Sequence, residues 1–169
     1  MSKNKLAKFA ENETFTFLFQ HTEYGVPEQK FPLQGSWRKD FFHNDNPIVL
    51  ELGCGKGEYS VSLAERFPDK NFIGVDRKGA RLWRGCRTVQ EQQLPNVAFI
   101  RTHIDHIAHY FSPEEVDEIW ITFPDPQPKK ENHRLMSPRF VNNYYRQILK
   151  KEALLHLKTD SRLLYSYLL

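Results

Sequence analysis

Sulfur is scarce in this chain: two cysteines and two methionines in 169 residues. Cys54 and Cys86 form no CxxC pair and lie near no His/Cys run at zinc spacing. A disulfide framework and a structural zinc site are therefore set aside, and both thiols are expected to be reduced packing residues. No apolar run approaches the ~20 residues of a membrane span. The polar start MSKNKLAKF also lacks the apolar middle of a secretory signal, so the expected location is cytoplasmic. Neither sign of charge dominates, with 24 Lys and Arg against 21 Asp and Glu for a net +3. That excess is too small to mark a nucleic-acid binder by itself, and the distribution of charge must decide. Repeats and low-complexity linkers are missing too. What remains, 40% hydrophobic and 27% charged residues, suits one globular domain with a core of its own.

Residues 1–46 read as a polar amino-terminal arm. It either packs back through Phe31 and Trp37 or orders only on a partner. From Pro47 to Leu169 the pattern is that of a regular domain. "PIVLEL" is a continuous apolar run ending in glycines, as in a strand buried on both faces. A helix over 58–67 stopped by Pro68, the strand "NFIGVD", a helix over 79–93 and the strand "NVAFIR" follow. After an amphipathic stretch at 104–111 come the strand "VDEIWITF", a helix over 138–151 whose apolar residues fall four apart, the strand "ALLHLK" and the start of another helix. Strands alternating with helices predict an α/β fold, a doubly wound and mostly parallel sheet with helices on both faces.

The first chemical signal is "LELGCGKGEY", in which a strand gives way to Gly53, Gly55 and Gly57 and then to a helix. Glycines there let the backbone approach a ligand closely. A phosphate loop would need Gly-Lys-Ser/Thr, but Lys56 is followed by Gly57 and Glu58; the dinucleotide pattern wants Gly or Ala where Glu58 stands. Glu51 and Glu58 would repel a pyrophosphate and attract a cation. S-adenosylmethionine is a cationic, phosphate-free cofactor, and Asp76 ends the second predicted strand about twenty residues on, where an acid accepts hydrogen bonds from ribose hydroxyls. His103 or Asp105, after the third predicted strand, would meet the adenine edge. The string "HIDHIAH" sets His103, His106 and His109 three apart. Steps of three rotate around an α-helix and no HExxH is present, so no metal is expected.

The second signal is "ITFPDPQPKKENHR". Asp125 follows a predicted strand that should adjoin the first, and Pro124 and Pro126 stiffen the backbone on both sides. Lys129, Lys130, His133, Arg134 and Arg139 come next, and Arg77, Lys78, Arg81, Arg84 and Arg87 lie near the same rim. Cations flanking one mouth from two distant segments suit a phosphate backbone.

"LELGCGKGEY", "GVDRKGARLW", "NVAF", "WITFPDPQPKK" and "LKTD", in this order, resemble the bacterial tRNA (guanine-N7)-methyltransferase family over about residues 47–165. The resemblance implies a Rossmann-like class I methyltransferase fold, S-adenosylmethionine as cofactor, and tRNA as partner, modified at N7 of a guanine (position 46) in the variable loop. It places Glu51 and Asp76 at cofactor positions, Asp125 at the catalytic and cofactor-contacting acid, and Lys129 and Asp160 at substrate positions. Asp160 could instead cap the last helix. The chain departs from the family at Gln127-Pro128 and in a shortened basic segment. It also lacks the further strands and Thr-x-x-Glu motif that follow in the family, so the sheet is expected without its carboxyl-terminal strands. Monomer or homodimer is left open.

Overall fold

The computed structural model describes residues 3–21 and 26–169. Six strands form one sheet in the order β1-β4-β3-β2-β5-β6: β1 Leu18–Gln20, β2 Ile48–Leu52, β3 Asn71–Asp76, β4 Val97–Arg101, β5 Val116–Thr122 and β6 Leu149–Lys158. Every pairing is parallel. The central strand β2 is buried at all five positions, which is why its sequence is continuously apolar rather than alternating. Its side chains still alternate between two cores. Ile48, Leu50 and Leu52 join Ile73, Val75, Ala98 and Ile100 on one face, while Val49 joins Phe72, Val97 and Phe99 on the other.

Helices α2 (Glu58–Arg66) and α3 (Gly79–Gln92) cover the second face through Val61, Ala64, Leu82, Cys86 and Val89. The two cysteines are buried there, free, and burial pushes both thiols up, well outside the reactive range.

The described residues ahead of Pro47 take the first of the two options and pack back on the domain. Helix α1 (Lys3–Asn12) lies on α3, with Asn12 Nδ2 donating to Gly79 O at 2.9 Å, Trp83 Nε1 donating to Glu11 at 2.6 Å and Arg87 paired with Glu11 at 2.7 Å. Strand β1 extends the sheet beside β4. Phe31 and Trp37 are buried at 3% and 0% exposure; Trp37 donates from Nε1 to Tyr110 O at 2.9 Å and packs edge-on to Phe19 and flat on Phe111. Such rings bury large apolar area while their polar handles stay hydrogen-bonded.

Two local expectations need correction. The helix over 138–151 is split: α4 spans only Pro138–Asn143, a 3₁₀ turn covers Tyr145–Gln147, and β6 has begun by Leu149. Phe140, Tyr145 and Ile148 enter the core as their spacing suggested, but Val116 N–H donates to Ile148 O at 3.0 Å and Leu149 pairs with Val116, so ladder bonds to β5 claim the last third of the segment. The stretch Ile104–His109 is a 3₁₀ helix. With three residues per turn, His103, His106 and His109 stack in a row instead of rotating, their ring centroids 5.9 and 6.2 Å apart. Among the described residues no group of three His, Cys, Asp or Glu is placed to hold a metal, and no helix is long and apolar enough to cross a membrane.

Candidate functional site

The site forms at the carboxyl ends of β2, β3, β4 and β5, where a parallel sheet leaves its loops free for ligands. Beyond Leu52 the chain turns through Gly53, Gly55 and Gly57 at φ of +75°, +58° and +71°. Gly53 and Cys54 donate to Val75 O at 2.8 and 3.0 Å, pinning the loop to β3. The carboxylate of Asp76 then holds both neighbouring turns, with Oδ2 accepting from Gly55 N–H at 2.9 Å and Oδ1 from Lys78 N–H at 2.8 Å. Each oxygen keeps a lone pair, and Asp76 lines the adjoining cavity of about 460 Å³. That volume falls within the roughly 300–1,000 Å³ of small-molecule sites.

Gly53, Asp76, Thr102, His103, Asp105 and Asp125 share the walls of this cavity. A methyl built on Gly55 meets nothing within 4 Å, so the loop presents bare backbone to open space. Carboxylates at two corners, a glycine cradle and no Gly-Lys-Ser/Thr loop suit a nucleoside ligand held without a phosphate loop, while Arg77, Lys78 and Arg81 line the same cavity. Of the two candidates for an adenine edge, Asp105 is engaged by Arg139 at 3.1 Å, while His103 is exposed on the wall. Leu135 and Phe140 also line the cavity; neither was among the site residues expected from the sequence, and only the fold brings them here.

Glu51 sits behind this wall, 5% exposed. Its Oε2 accepts from Ser60 N–H and Oγ at 3.0 and 2.6 Å, and its Oε1 accepts from Thr122 Oγ1 at 2.7 Å, tying β2 to α2 and β5. Burial raises its carboxyl above the ordinary value, against the opposing hydrogen bonds from Ser60 and Thr122. An acid whose folded value is raised contributes stability that is complete below its unfolded value and is lost as pH rises through the folded one. Glu51→Gln keeps acceptors for Ser60 and a donor for Thr122. Its melting temperature relative to the parent should therefore be more favourable at pH 8 than at pH 5, and a difference running the other way would refute this account. Glu51→Ala leaves three donors without an acceptor and should cost about 1–3 kcal/mol.

Asp125 stands exposed at the cavity mouth, accepting from Gln127 N–H at 3.1 Å. The turn around it is unusual: Phe123 and Gln127, both non-glycine, hold φ of +47° and +45° on either side. Lys129 and Lys130 are exposed just beyond. Arg77, Lys78 and Arg81 line the cavity from the α3 side. Arg134, expected with these cations, turns inward instead. Its side chain is 2% exposed, Nε donates to Pro126 O at 3.1 Å, NH1 pairs with Glu131, and the guanidinium lies 4.4 Å from the Tyr167 ring. It therefore latches the Asp125 loop to α5 (Arg162–Leu168). Asp160 is exposed after β6, and the cap of α5 is Ser161, whose Oγ accepts from Leu164 N–H.

Comparison with known proteins sharpens this picture. A family model described as "Putative methyltransferase" matches residues 45–168. The chain is 54% identical over 170 residues to the tRNA (guanine-N(7)-)-methyltransferase of Christiangramia forsetii, covering 99% of this chain and 75% of that protein. It is 50% identical over 167 residues to the protein of the same name from Bacteroides fragilis, covering 99% and 66%. The chain thus spans two thirds to three quarters of the length of these relatives. Among solved structures, the aminoglycoside resistance methyltransferase NpmB1 superposes with a TM-score of 0.62 at 17% identity, covering 77% of this chain and 64% of that one. A W203A variant of a 16S rRNA (adenine(1408)-N(1))-methyltransferase from Catenulisporales acidiphilia, solved with its cosubstrate SAM, superposes at 0.59 and 18%, covering 72% and 59%. At such identities the likeness is one of fold, the Rossmann-like class I methyltransferase sheet. The sequence likeness goes further, because half of all positions agree along nearly the whole chain, and on that ground the chain belongs to the tRNA (guanine-N7)-methyltransferase family.

Proposed function

We propose that this protein transfers the methyl group of S-adenosylmethionine to N7 of a guanine in tRNA, in the variable loop. One observation carries the reading: Asp125, in a turn between two prolines, lines a cavity together with Arg77, Lys78 and Arg81, and Lys129 and Lys130 are exposed just beyond it in the chain. A small-molecule substrate would leave those cations without a task, whereas an RNA backbone employs them. Residues 47–169 carry the catalytic site, residues 1–46 are an amino-terminal arm whose described part packs into the same sheet and core, and the cytoplasm, where tRNA is, is the place of action.

Bound in the cavity, the cofactor supplies an electrophilic methyl on a sulfonium. Guanine N7 carries an in-plane lone pair and no proton, so the displacement needs no general base. The protein's task is to hold nucleophile and methyl carbon about 3–3.5 Å apart and in line with the departing sulfur. Asp76 accepts from the ribose hydroxyls and His103 meets the adenine edge. The Asp125 carboxylate accepts from guanine N–H groups or the cofactor amine and favours the positive charge that moves onto the purine. Asp160 grips the base from the β6 side, and Lys129 and Lys130 hold phosphates.

The test is incubation with radiolabelled S-adenosylmethionine and unmodified bulk tRNA, followed by the borohydride and aniline cleavage that reports 7-methylguanine. Label at a single variable-loop guanine is the expected result. Cofactor binding with no label in any tRNA would overturn the proposal and leave an RNA-binding subunit without transfer activity.

A further inference from the structure

Next to the cavity, on the β5–β6 side, three side chains meet that do not line it. Phe123 directly follows β5 and is 50% exposed. Tyr59, in the first turn of α2, lies with its ring centroid 6.4 Å from that of Phe123 at 48°. Lys158, the last residue of β6, donates from Nζ to the Tyr59 hydroxyl, and its ammonium stands 4.8 Å from the Tyr59 ring and 5.5 Å from the Phe123 ring.

Exposed apolar side chains are common on protein surfaces, but this one is kept in an unfavourable backbone conformation. Phe123 has φ of +47°, a region that bulky L-residues seldom enter. The surroundings impose it: Phe123 N–H donates to Lys158 O at 2.7 Å, extending the β5–β6 ladder one residue, and Pro124 follows. Propensity does not call for phenylalanine at such a point, and its packing on Tyr59 and Lys158 leaves half of the residue exposed. Strain held against an exposed aromatic is the pattern of a residue kept for contact with something else.

The topology says what arrives there. The cavity takes up the ends of β3 and β4, with Asp125 at its near corner, and Phe123 is two residues from Asp125 on the β5–β6 side. A nucleobase that reaches the methyl group while passing Asp125 must come from that side. Its edge then meets carboxylates, so a flat apolar face is still required to fix its plane. Cations and carboxylates cannot set a plane; a ring can, whatever the sequence around the base.

Resting on the tRNA reading above, we infer that Phe123 is the stacking platform for the purine being methylated and that the Tyr59–Lys158 pair holds that ring in place. Phe123 is then a residue that touches substrate, while Tyr59 and Lys158 are positioning residues.

The experiment uses four proteins: the parent, Phe123→Ala, Phe123→Gly and Phe123→Trp. Glycine accepts a φ of +47° without cost, so Phe123→Gly keeps the turn and removes only the ring. Cofactor affinity, measured by calorimetry, should be unchanged in all of them. With unmodified tRNA, the alanine and glycine variants should lose about 5- to 150-fold in kcat/KM, the range that loss of one base–aromatic stack gives. The tryptophan variant should stay within a few-fold of the parent. In the presence of S-adenosylhomocysteine, which prevents turnover, tRNA should quench the added indole of Phe123→Trp beyond any quench of the parent. Full activity of Phe123→Gly, or an indole blind to tRNA, would overturn the inference. A parent that binds tRNA without methylating it would sink the transfer reading, and the quench alone would then decide whether Phe123 stacks on RNA.

Discussion

Asp125→Ala is expected to lose transfer by at least about 10²–10³-fold in kcat/KM, the scale on which a single aligned electrostatic partner of a transition state acts, with the fold intact. The structural cost should be small because the side chain is exposed and, among the described residues, its hydrogen bond is the one from Gln127 N–H at 3.1 Å. Losing such a bond costs about 1 kcal/mol. The turn does not depend on it: Phe123 N–H stays bonded to Lys158 O, Arg134 Nε to Pro126 O, and the two prolines keep their fixed φ. Asp125→Asn separates charge from turn geometry. Its amide oxygen still accepts from Gln127, but it offers no negative charge to a purine becoming cationic. If Asp125 only shapes the turn, the asparagine variant keeps its activity. If it acts on the reacting groups, both variants fall together while their melting temperatures stay near that of the parent. Tritium transfer to tRNA and a thermal melt on the same preparations decide between the two.

The parallel core was legible in the sequence for a physical reason. β2, β3 and β4 are buried on both faces, so their apolar runs are continuous, and a glycine follows β2 while an acid ends β3. The segment 138–151 misled because residues four apart satisfy a core from a broken helix as well as from a whole one; the deciding force, ladder bonding of Leu149 to Val116, involves a partner more than thirty residues away. β1 was hidden by its length of three residues, although Phe15, Phe17 and Phe19 alternate through and before it. In the site, Asp76 and the glycines announce themselves because loop and acid must stand in fixed order along the chain. The setting of Glu51 does not, since Thr122 lies 71 residues from it. A basic segment shows its charge but not its direction, so Arg134 reads as one more surface cation until Pro126 O and the Tyr167 ring are seen to enclose it. The left-handed backbone at Phe123 and Gln127 has no compositional mark at all, since glycine would be the usual signal.

That distinction between conformation and contact gives the second large effect. Gly57→Ala should destabilise the protein by about 2–5 kcal/mol, combining about 1–2 for a left-handed non-glycine residue with about 1–3 for overpacking. A methyl at Gly57 would lie 2.6 Å from Phe99 Cε1. The ring has nowhere to withdraw: Phe99 is fully buried, and methyls placed on Gly74 and Gly85 would also come within 2.7 and 2.8 Å of it. Three glycines thus make room for one aromatic ring beneath the cofactor loop. Native proteins have only about 5–15 kcal/mol in hand, so this loss should appear as a marked fall in the urea midpoint. Gly55→Ala serves as the control. Its φ of +58° carries the same conformational cost, yet nothing lies within 4 Å of the new methyl, so the drop in stability should stay near 1–2 kcal/mol. With the cofactor seated against the glycine loop as proposed, the methyl would take up space next to it, so Gly55→Ala should lose more cofactor affinity than its stability loss accounts for. Urea unfolding and cofactor calorimetry on both variants test the pair. Equal destabilisation would mean that the Phe99 ring gives way, and an unchanged cofactor affinity in Gly55→Ala would mean that the ligand keeps its distance from the glycine loop.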